Sequence, residues 1–207
     1  MLHIVCTRIM SPLQNVNIKC KSLNVRSLNK SIKRRSIFRW LHNQNNHFTF
    51  LQETYSSRDC AKTWEAEWGG KVFFSHGSTH SKGVLILVNP KVELKIEKVI
   101  SDYNGRYIIL DAMVDGSHVI LVNIYAPNDL NQQLALFNDL QHTLQEFAQE
   151  YIIMGGDLNC VLHDKDKKGG NPVSKKILVI KEIEEIINLY NLFDIWRNLN
   201  SETIRFT

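Results

Sequence analysis

The middle of the chain alternates between short apolar segments and turn signals, and this pattern restricts the possible folds more than any other feature. Strands are predicted over residues 71–75, 83–89, 93–100, 106–114 and 118–125. Asn104-Gly105 and Asp115-Gly116 fall between consecutive segments, and both dipeptides predict tight hairpin turns. A large part of the chain is therefore expected to be β-sheet built from hairpins.

Helices and further buried strands are predicted on both sides of this region. Apolar residues at helical spacing indicate helices over residues 31–42, 58–68, 130–147 and 180–190. Short apolar runs predict additional strands over residues 17–25, 48–52 and 151–154. Hairpins mixed with helical crossovers are typical of a layered α/β or α+β sandwich. Residues 1–16 show no clear period and are expected to be a leader without a place in the fold.

Composition and charge exclude several classes of protein. Hydrophobic residues make up 43% and charged residues 22% of the 207 residues, which is a globular profile. No apolar run approaches the ~20 residues of a membrane span, and the first ten residues are too short and mixed for a signal peptide. The net charge of +4 is mild and permits a polyanionic partner without requiring one.

The four cysteines are scattered along the chain. Cys6, Cys20, Cys60 and Cys160 form no CxxC pair, so neither a zinc site nor a disulfide framework is indicated. Free thiols fit a reducing compartment, and we expect the nucleus or the cytoplasm.

Polar side chains occur where four predicted buried strands end. They are Asn24, Glu53, the segment 123–128, and Asp157 with Asn159. A buried strand that ends in a carboxylate or an amide places that group at the rim of the sheet, where binding sites form. Each position taken alone has a simpler explanation: Glu53 fits a solvated strand end or helix cap, and Gly155-Gly156-Asp157 fits a turn.

The donor groups at these strand ends are carboxylates and amides, without a cluster of cysteines or histidines. Such a set favours a hard cation. Mg²⁺ is therefore predicted, with Mn²⁺ as the alternative, and no small-molecule cofactor is expected.

Five strings in a fixed order carry a resemblance to a known family. They occupy residues 22–29, 50–55, 80–84, 123–128 and 155–159. Together they resemble the endonuclease/exonuclease/phosphatase superfamily, which has the DNase I-like fold, and most closely the endonuclease domain of LINE-type (non-LTR) retrotransposon polyproteins. The resemblance covers residues 17–207. It implies a four-layer α/β sandwich of two packed mixed β-sheets flanked by helices, here with the last strands missing.

The resemblance also implies roles for individual residues on the metal side of the site. The residue matching Glu53 is the main Mg²⁺ ligand, and the one matching Asn24 lies at the same metal. The residue matching Tyr125 lines the pocket at the scissile phosphate, and the one matching Asn128 helps to hold that phosphate.

Two further residues are implied on the water side. The residue matching Asp157 orients or activates the attacking water, and the one matching Asn159 binds the phosphate and positions the transition state. This division is chemically sound, since hydrolysis of a phosphodiester needs an activated water, neutralised charge and support for the leaving oxygen.

Basic residues next to these motifs are candidates for contact with DNA phosphates. They are Arg26 and Lys30 after the first motif, and Lys167 and Lys168 after the last. The alternative is an ordinary solvated charged face. The tryptophans Trp40, Trp64 and Trp68 are predicted to belong to the core.

The sequence contains no Ser-Asp-His segment, which in this family supplies a phosphate-contacting histidine, and no late catalytic Asp. We therefore expect residues 17–207 to be an incomplete domain with weak or no activity, and the reverse transcriptase domain of a complete element is absent. The leading hypothesis is a retrotransposon-type endonuclease that nicks target DNA. The alternatives are a catalytically dead remnant or DNA-binding module, and an apurinic or repair-type nuclease of the same superfamily.

Overall fold

The computed structural model describes residues 2–7 as a strand, together with residues 18–148, 150–162, 176–195 and 198. The strands in this part of the chain are β1 (Leu2–Thr7), β2 (Cys20–Asn24), β3 (Phe48–Gln52), β4 (Val72–Ser75), β5 (Val84–Val88), β6 (Leu94–Ser101), β7 (Tyr107–Val114), β8 (Ser117–Tyr125), β9 (Ile152–Asp157) and β10 (Leu192–Asp194). The helices are α1 (Ser31–His42), α2 (Ala61–Trp68), α3 (Leu130–Leu144) and α4 (Ile177–Leu189). Within the described residues, no helix is long and apolar enough to cross a membrane.

The strands form two mixed sheets. The large sheet has the order β10-β1-β9-β8-β7-β6, in which β8 and β9 are parallel. The small sheet has the order β2-β3-β5-β4, in which β2 and β3 are parallel. In each sheet the parallel pair is joined through a helix, as parallel neighbours require.

Strand alternation divides the core into three apolar layers. In β5, Val84, Ile86 and Val88 pack between the two sheets, whereas Leu85 and Leu87 pack under α1 and α2. In β8 the same alternation sends one set of side chains between the sheets and the other under α3 and α4. Both sheets are therefore covered on both faces, which confirms the four-layer α/β sandwich.

Local sequence explains where the helices begin and end. Asp129 caps α3 by accepting a hydrogen bond from the Gln132 backbone N–H at 3.0 Å. Helix α2 ends at Gly69, whose φ of +74° is the left-handed conformation that glycine adopts at little cost. Trp64 and Trp68 lie on the buried face of α2, so their assignment to the core is confirmed.

A buried polar network links the two sheets close to one end of their strands. Asn123 on β8 donates to the backbone carbonyls of Leu51 and Leu85, at 3.0 and 2.8 Å, and so joins the large sheet to the small one. Gln52 on β3 donates to Ser22 Oγ and to Asn123 Oδ1, at 3.0 and 2.7 Å. These buried hydrogen bonds fix the relative position of the strands that they join.

Three features differ from the sequence-based expectations. Strand β9 continues through Gly155, Gly156 and Asp157 instead of turning there, because each pairs with a residue of β8. The connection between β6 and β7 spans residues 102–106 and is longer than the tight hairpin expected at Asn104-Gly105. The assignment of Trp40 to the core is wrong: it is 43% exposed, and Lys21 Nζ lies 4.1 Å from its ring centroid.

The first residues of the chain also differ from expectation. A leader without a place in the fold was expected over residues 1–16, but Leu2–Thr7 form β1 between β9 and β10. Strand β1 pairs antiparallel with β9 on one side and with β10 on the other. It therefore covers an edge of β9 whose backbone groups would otherwise be unpaired. The rest of this expected leader, residues 8–16, lies outside the described residues.

Candidate functional site

The ends of four strands meet at one rim of the sandwich. β2 and β3 are parallel neighbours, so Asn24 and Glu53, at and just after their ends, lie side by side. β8 and β9 are also parallel neighbours, and Tyr125 is paired with Asp157. The sandwich thus brings two residues from each sheet to the same place.

Asn24 is the link between the two sheets at this rim. Its Nδ2 donates to Glu53 Oε1 at 2.8 Å and to Asp157 Oδ2 at 2.9 Å. Its Oδ1 accepts a hydrogen bond from the Arg26 backbone N–H at 3.1 Å, which fixes the orientation of the amide. Two carboxylates from different sheets therefore lie within hydrogen-bond distance of one neutral nitrogen.

Two tyrosines and an arginine surround the Glu53 carboxylate. Tyr55 Oη donates to Glu53 Oε2 at 3.5 Å. Burial, together with a hydrogen bond to Glu53, raises the pKa of Tyr125 to about 12, so this phenol keeps its proton at neutral pH. The guanidinium carbon of Arg106 lies 5.1 Å from the centroid of the Tyr125 ring.

Asp157 and Asn159 form a fixed corner after β9. Asp157 Oδ1 accepts the Asn159 backbone N–H at 3.1 Å, and Asn159 Nδ2 donates to the Ala126 carbonyl at 2.7 Å. Gln133 of α3 and Lys176, immediately before α4, both donate to the Asn159 carbonyl. This corner is therefore attached to β8 through the segment at Ala126, to α3 and to the start of α4.

Unusual backbone conformations concentrate around the same rim. Positive φ angles occur at Arg26 (46°), Ser27 (76°), Glu53 (52°), Tyr55 (58°) and Asn159 (47°). Such angles are uncommon for residues with a side chain, and each carries a modest energetic cost. These residues lie in the segments that carry the polar side chains. The strained backbone conformations therefore orient those side chains toward the site.

Gly156 allows Asp157 to reach this position. Its φ is +146°, and a Cβ atom at this residue would lie 2.0 Å from the Ile124 carbonyl oxygen of β8. No larger residue fits between β8 and β9 without displacing backbone. The Gly-Gly-Asp string therefore reflects close strand packing directly beside Asp157.

The structure brings together five of the six residues predicted for the catalytic and metal positions. Asn24, Glu53, Tyr125, Asp157 and Asn159 share the rim described above. Asn128 is exposed in the turn before α3, outside the hydrogen bonds that join the others.

The predicted DNA-phosphate contacts are only partly described. Arg26 and Lys30 are exposed next to Asn24, whereas Lys167 and Lys168 lie outside the described residues. Two further basic residues of α1, Arg34 and Arg35, both pair with Glu67 of α2. Arg34 is buried and supports the packing of α1 on α2, whereas the side chain of Arg35 is exposed.

The donor chemistry at the rim fits a hard divalent cation. Glu53 and Asp157 supply carboxylate oxygens, and Asn24 Oδ1 retains a lone pair beside its bond to Arg26. Two carboxylates held close together repel each other unless a positive charge compensates them. Among the described residues no group of three or more histidines, cysteines, aspartates and glutamates is arranged to hold a metal, so a zinc-type cage is not present in that part of the chain.

Sequence reasoning did not identify Arg106 and Tyr55 as site residues. Arg106 is the first residue of the predicted strand 106–114, and only the pairing of β7 with β8 and the hydrogen bond from the Tyr125 backbone N–H to its carbonyl place it beside Tyr125. Tyr55 lies within one of the quoted strings, and its spacing of two residues from Glu53 was the available signal. A positive φ at both Glu53 and Tyr55 turns the two side chains to the same side, and this could not be read from the sequence.

Comparison with known proteins agrees with this geometry. The sequence model of the Endonuclease/Exonuclease/phosphatase family matches residues 21–204. The transposon TX1 uncharacterized 149 kDa protein of Xenopus laevis is 28% identical over 191 residues, which is 92% of this chain but only 14% of that protein. The family resemblance expected from the five strings is confirmed.

Solved structures show the same fold at low sequence identity. The AP endonuclease LMAP from Leishmania major matches with a TM-score of 0.71 and 16% identity, over 89% of this chain and 70% of that one. An AP endonuclease from Archaeoglobus fulgidus matches with a TM-score of 0.61 and 20% identity, over 82% of this chain and 71% of that one. The DNase I-like sandwich expected from the sequence is thereby confirmed.

Proposed function

The chain belongs to the Endonuclease/Exonuclease/phosphatase family, and from this premise we propose that it hydrolyses phosphodiester bonds of DNA in a metal-dependent reaction. The observation that carries the proposal is the Asn24 amide, which joins the Glu53 and Asp157 carboxylates at 2.8 and 2.9 Å. The amide adds no positive charge to the two carboxylates, so a divalent cation bound beside them would be favoured. Such a cation could also bind a phosphate group. The similarity to a transposon protein supports target-DNA nicking as the biological role.

Glu53 and Asn24 are the residues proposed to hold the cation, with Mg²⁺ as the first candidate and Mn²⁺ as the second. Glu53 contributes carboxylate oxygens, and Asn24 fixes the spacing of Glu53 from Asp157. A divalent cation bound there would neutralise phosphate charge and support the leaving oxygen.

Asp157 is proposed to orient the attacking water and to accept its proton. The carboxylate is 7% exposed and is held by Asn24 Nδ2 on one oxygen and by the Asn159 backbone N–H on the other. A base held in this way stays directed at one position, which is what proton transfer from a bound water requires.

Tyr125, Asn159 and Asn128 are proposed to contact the phosphate. The Tyr125 phenol keeps its proton, since burial and the hydrogen bond to Glu53 raise its pKa to about 12. It can therefore line the pocket beside the phosphate without adding negative charge. Asn159 and Asn128 carry amide donors, and Arg26, Lys30, Lys167 and Lys168 are proposed to contact the DNA backbone further out.

Nicking of supercoiled plasmid by the 207-residue chain tests the proposal. No Ser-Asp-His string occurs in this sequence, so we propose slow nicking, and plasmid relaxation is suitable because a single cut per molecule is visible. We expect open circles in Mg²⁺ or Mn²⁺ but not in EDTA, and none with Glu53→Gln. Glu65→Gln on the outer face of α2 is the matched control and should nick like the wild type. Absence of metal-dependent nicking, or unchanged nicking by Glu53→Gln, contradicts the proposal.

Two alternatives predict different results in the same assay. A catalytically dead remnant or DNA-binding module would shift DNA in a gel without cutting it. The similarity to solved AP endonucleases favours a repair-type enzyme, which would cut a duplex with one abasic site much faster than the intact duplex. Equal cutting of the two duplexes supports the target-DNA nicking role.

A further inference from the structure

Arg106 is a charged residue at the rim that none of the roles above uses. It lies in the connection 102–106, immediately before β7 begins. Its backbone N–H donates to Asp102 Oδ2 at 2.8 Å, and its carbonyl accepts the Tyr125 backbone N–H at 2.7 Å. The backbone of Arg106 is thus attached directly to the end of β8.

The side chain of Arg106 stacks on Tyr125, whose phenol is hydrogen-bonded to Glu53. The guanidinium lies over the Tyr125 ring, with 5.1 Å between its central carbon and the ring centroid. It is half-buried, and it is attracted by the charges of Asp102 and Glu53. A flat cation stacked on a phenol restricts the ring on one face.

Burial of this guanidinium has a cost that a surface position would avoid. Desolvation lowers the pKa of Arg106 from its ordinary value, whereas interactions with Tyr125, Asp102 and Glu53 oppose that shift. The charge is therefore stabilised by Asp102 together with Tyr125 and Glu53, and the last two are side chains that the proposed reaction uses.

We propose that Arg106 is a positioning residue for phosphodiester hydrolysis, acting through Tyr125: its guanidinium stacks on the phenol ring and holds that ring beside Glu53, at the place where the phosphate is proposed to bind. This inference rests on the proposed function. A positioning residue of this kind affects the rate of the chemical step more than the binding of DNA. It also places a fixed positive charge near Glu53, which weakens the binding of a cation there.

A double-mutant cycle tests the coupling to Tyr125. We expect Arg106→Gln to lower the maximal nicking rate about 10-fold or more with little change in the half-saturating DNA concentration. Arg106→Lys should recover part of the rate, because it keeps the charge but not the planar stack. In the Tyr125→Phe background, Arg106→Gln should have almost no further effect. Arg39→Gln, on the exposed face of α1, is the control.

Two outcomes of the cycle would overturn the inference. One is that Arg106→Gln raises the half-saturating DNA concentration and leaves the maximal rate unchanged, which describes a simple phosphate contact. The other is that the effects of Arg106→Gln and Tyr125→Phe multiply, which describes two independent residues.

Titration of Mn²⁺ without DNA separates failure of this inference from failure of the proposed function. Removing the positive charge in Arg106→Gln should tighten Mn²⁺ binding several-fold, and Arg106→Lys should bind like the wild type. This arm applies even if the wild type does not nick DNA. Equal Mn²⁺ affinity in the wild type and Arg106→Gln would show that the guanidinium does not act on Glu53, and would overturn the inference.

Discussion

Two pairs of carboxylates in this molecule are each bridged by a single side chain, and the bridges differ in kind. At the rim, Asn24 links Glu53 to Asp157. At the other end of the large sheet, His118 on β8 links Asp111 of β7 to Glu150, which precedes β9. The first bridge is an amide that cannot carry a charge, whereas the second is an imidazole that can.

The bridging side chain determines whether each carboxylate pair needs a positive charge from other groups. Burial lowers the pKa of His118, but hydrogen bonds and charges from Asp111 and Glu150 outweigh this and raise it above its ordinary value. A protonated imidazole supplies its own positive charge to the pair. The Asn24 amide supplies none, so the negative charge of Glu53 and Asp157 remains to be compensated by Arg106 and, in our proposal, by a cation.

The largest difference between the two pairs should appear in activity. Asp157→Asn removes the proposed proton acceptor and should lower plasmid nicking by about 10²–10⁴-fold, to the level of a sample without protein. Asp111→Asn alters a half-buried carboxylate of the other pair and should leave nicking unchanged. Comparable loss in both variants, measured in parallel with circular dichroism to check folding, would remove the functional distinction.

The second difference concerns the backbone that carries each pair. Gly156→Ala should lower the free energy of unfolding by about 3 kcal/mol, because the new Cβ would lie 2.0 Å from the Ile124 carbonyl oxygen. Gly116→Ala is the control at the hairpin next to His118: its φ is +76° but nothing lies within 4 Å of the added Cβ. This change should cost only about 1 kcal/mol. Urea denaturation measures the free energy of unfolding of both variants. Equal losses would show that the space between β8 and β9 at Gly156 accommodates a methyl group.

The smallest expected effect is a pH dependence that belongs to His118 alone. Its raised pKa means that the folded state holds the proton more tightly than the unfolded one. The stabilisation is therefore fully present below the ordinary value of 6.5 and is lost as the pH rises through the folded-state pKa. For this partly exposed group we expect about 1 kcal/mol or less.

Urea denaturation at about pH 5.5 and pH 8.5 measures this contribution. The difference between the wild type and His118→Gln should be larger at the lower pH. His76, whose pKa is lowered by burial and by Arg58, contributes with the opposite sign, and it cancels in this difference because both proteins contain it. A difference that grows with pH would mean that His118 is not held by the two carboxylates.

Much of the fold could be predicted from the sequence because its signals are local. The strand Phe48–Gln52 and the helix Ser31–His42 have the bounds expected from apolar periodicity. The extension of β9 through Gly155, Gly156 and Asp157 could not be predicted, since glycine pairs usually mark turns and only the neighbouring β8 makes them strand residues here.

The site, like the fold, has features that could be predicted from the sequence and features that could not. Asn24, Glu53 and Asp157 end predicted buried strands, so their presence at a common rim followed from strand ends and family strings. The amide bridge between two sheets could not be predicted, because it depends on how the sheets pack face to face. Arg106 could not be predicted as a site residue for a different reason: its contact with Tyr125 depends on the register of β7 with β8 within one sheet.

Calorimetric titration of Mn²⁺ into the purified chain tests most directly whether the amide-bridged pair is a metal site. We expect one Mn²⁺ bound per chain in the wild type and in His118→Gln, and loss of this binding in Glu53→Gln. Failure of the wild type to bind Mn²⁺, or undiminished binding by Glu53→Gln, would contradict the assignment of the Glu53–Asn24–Asp157 rim as the metal-dependent centre.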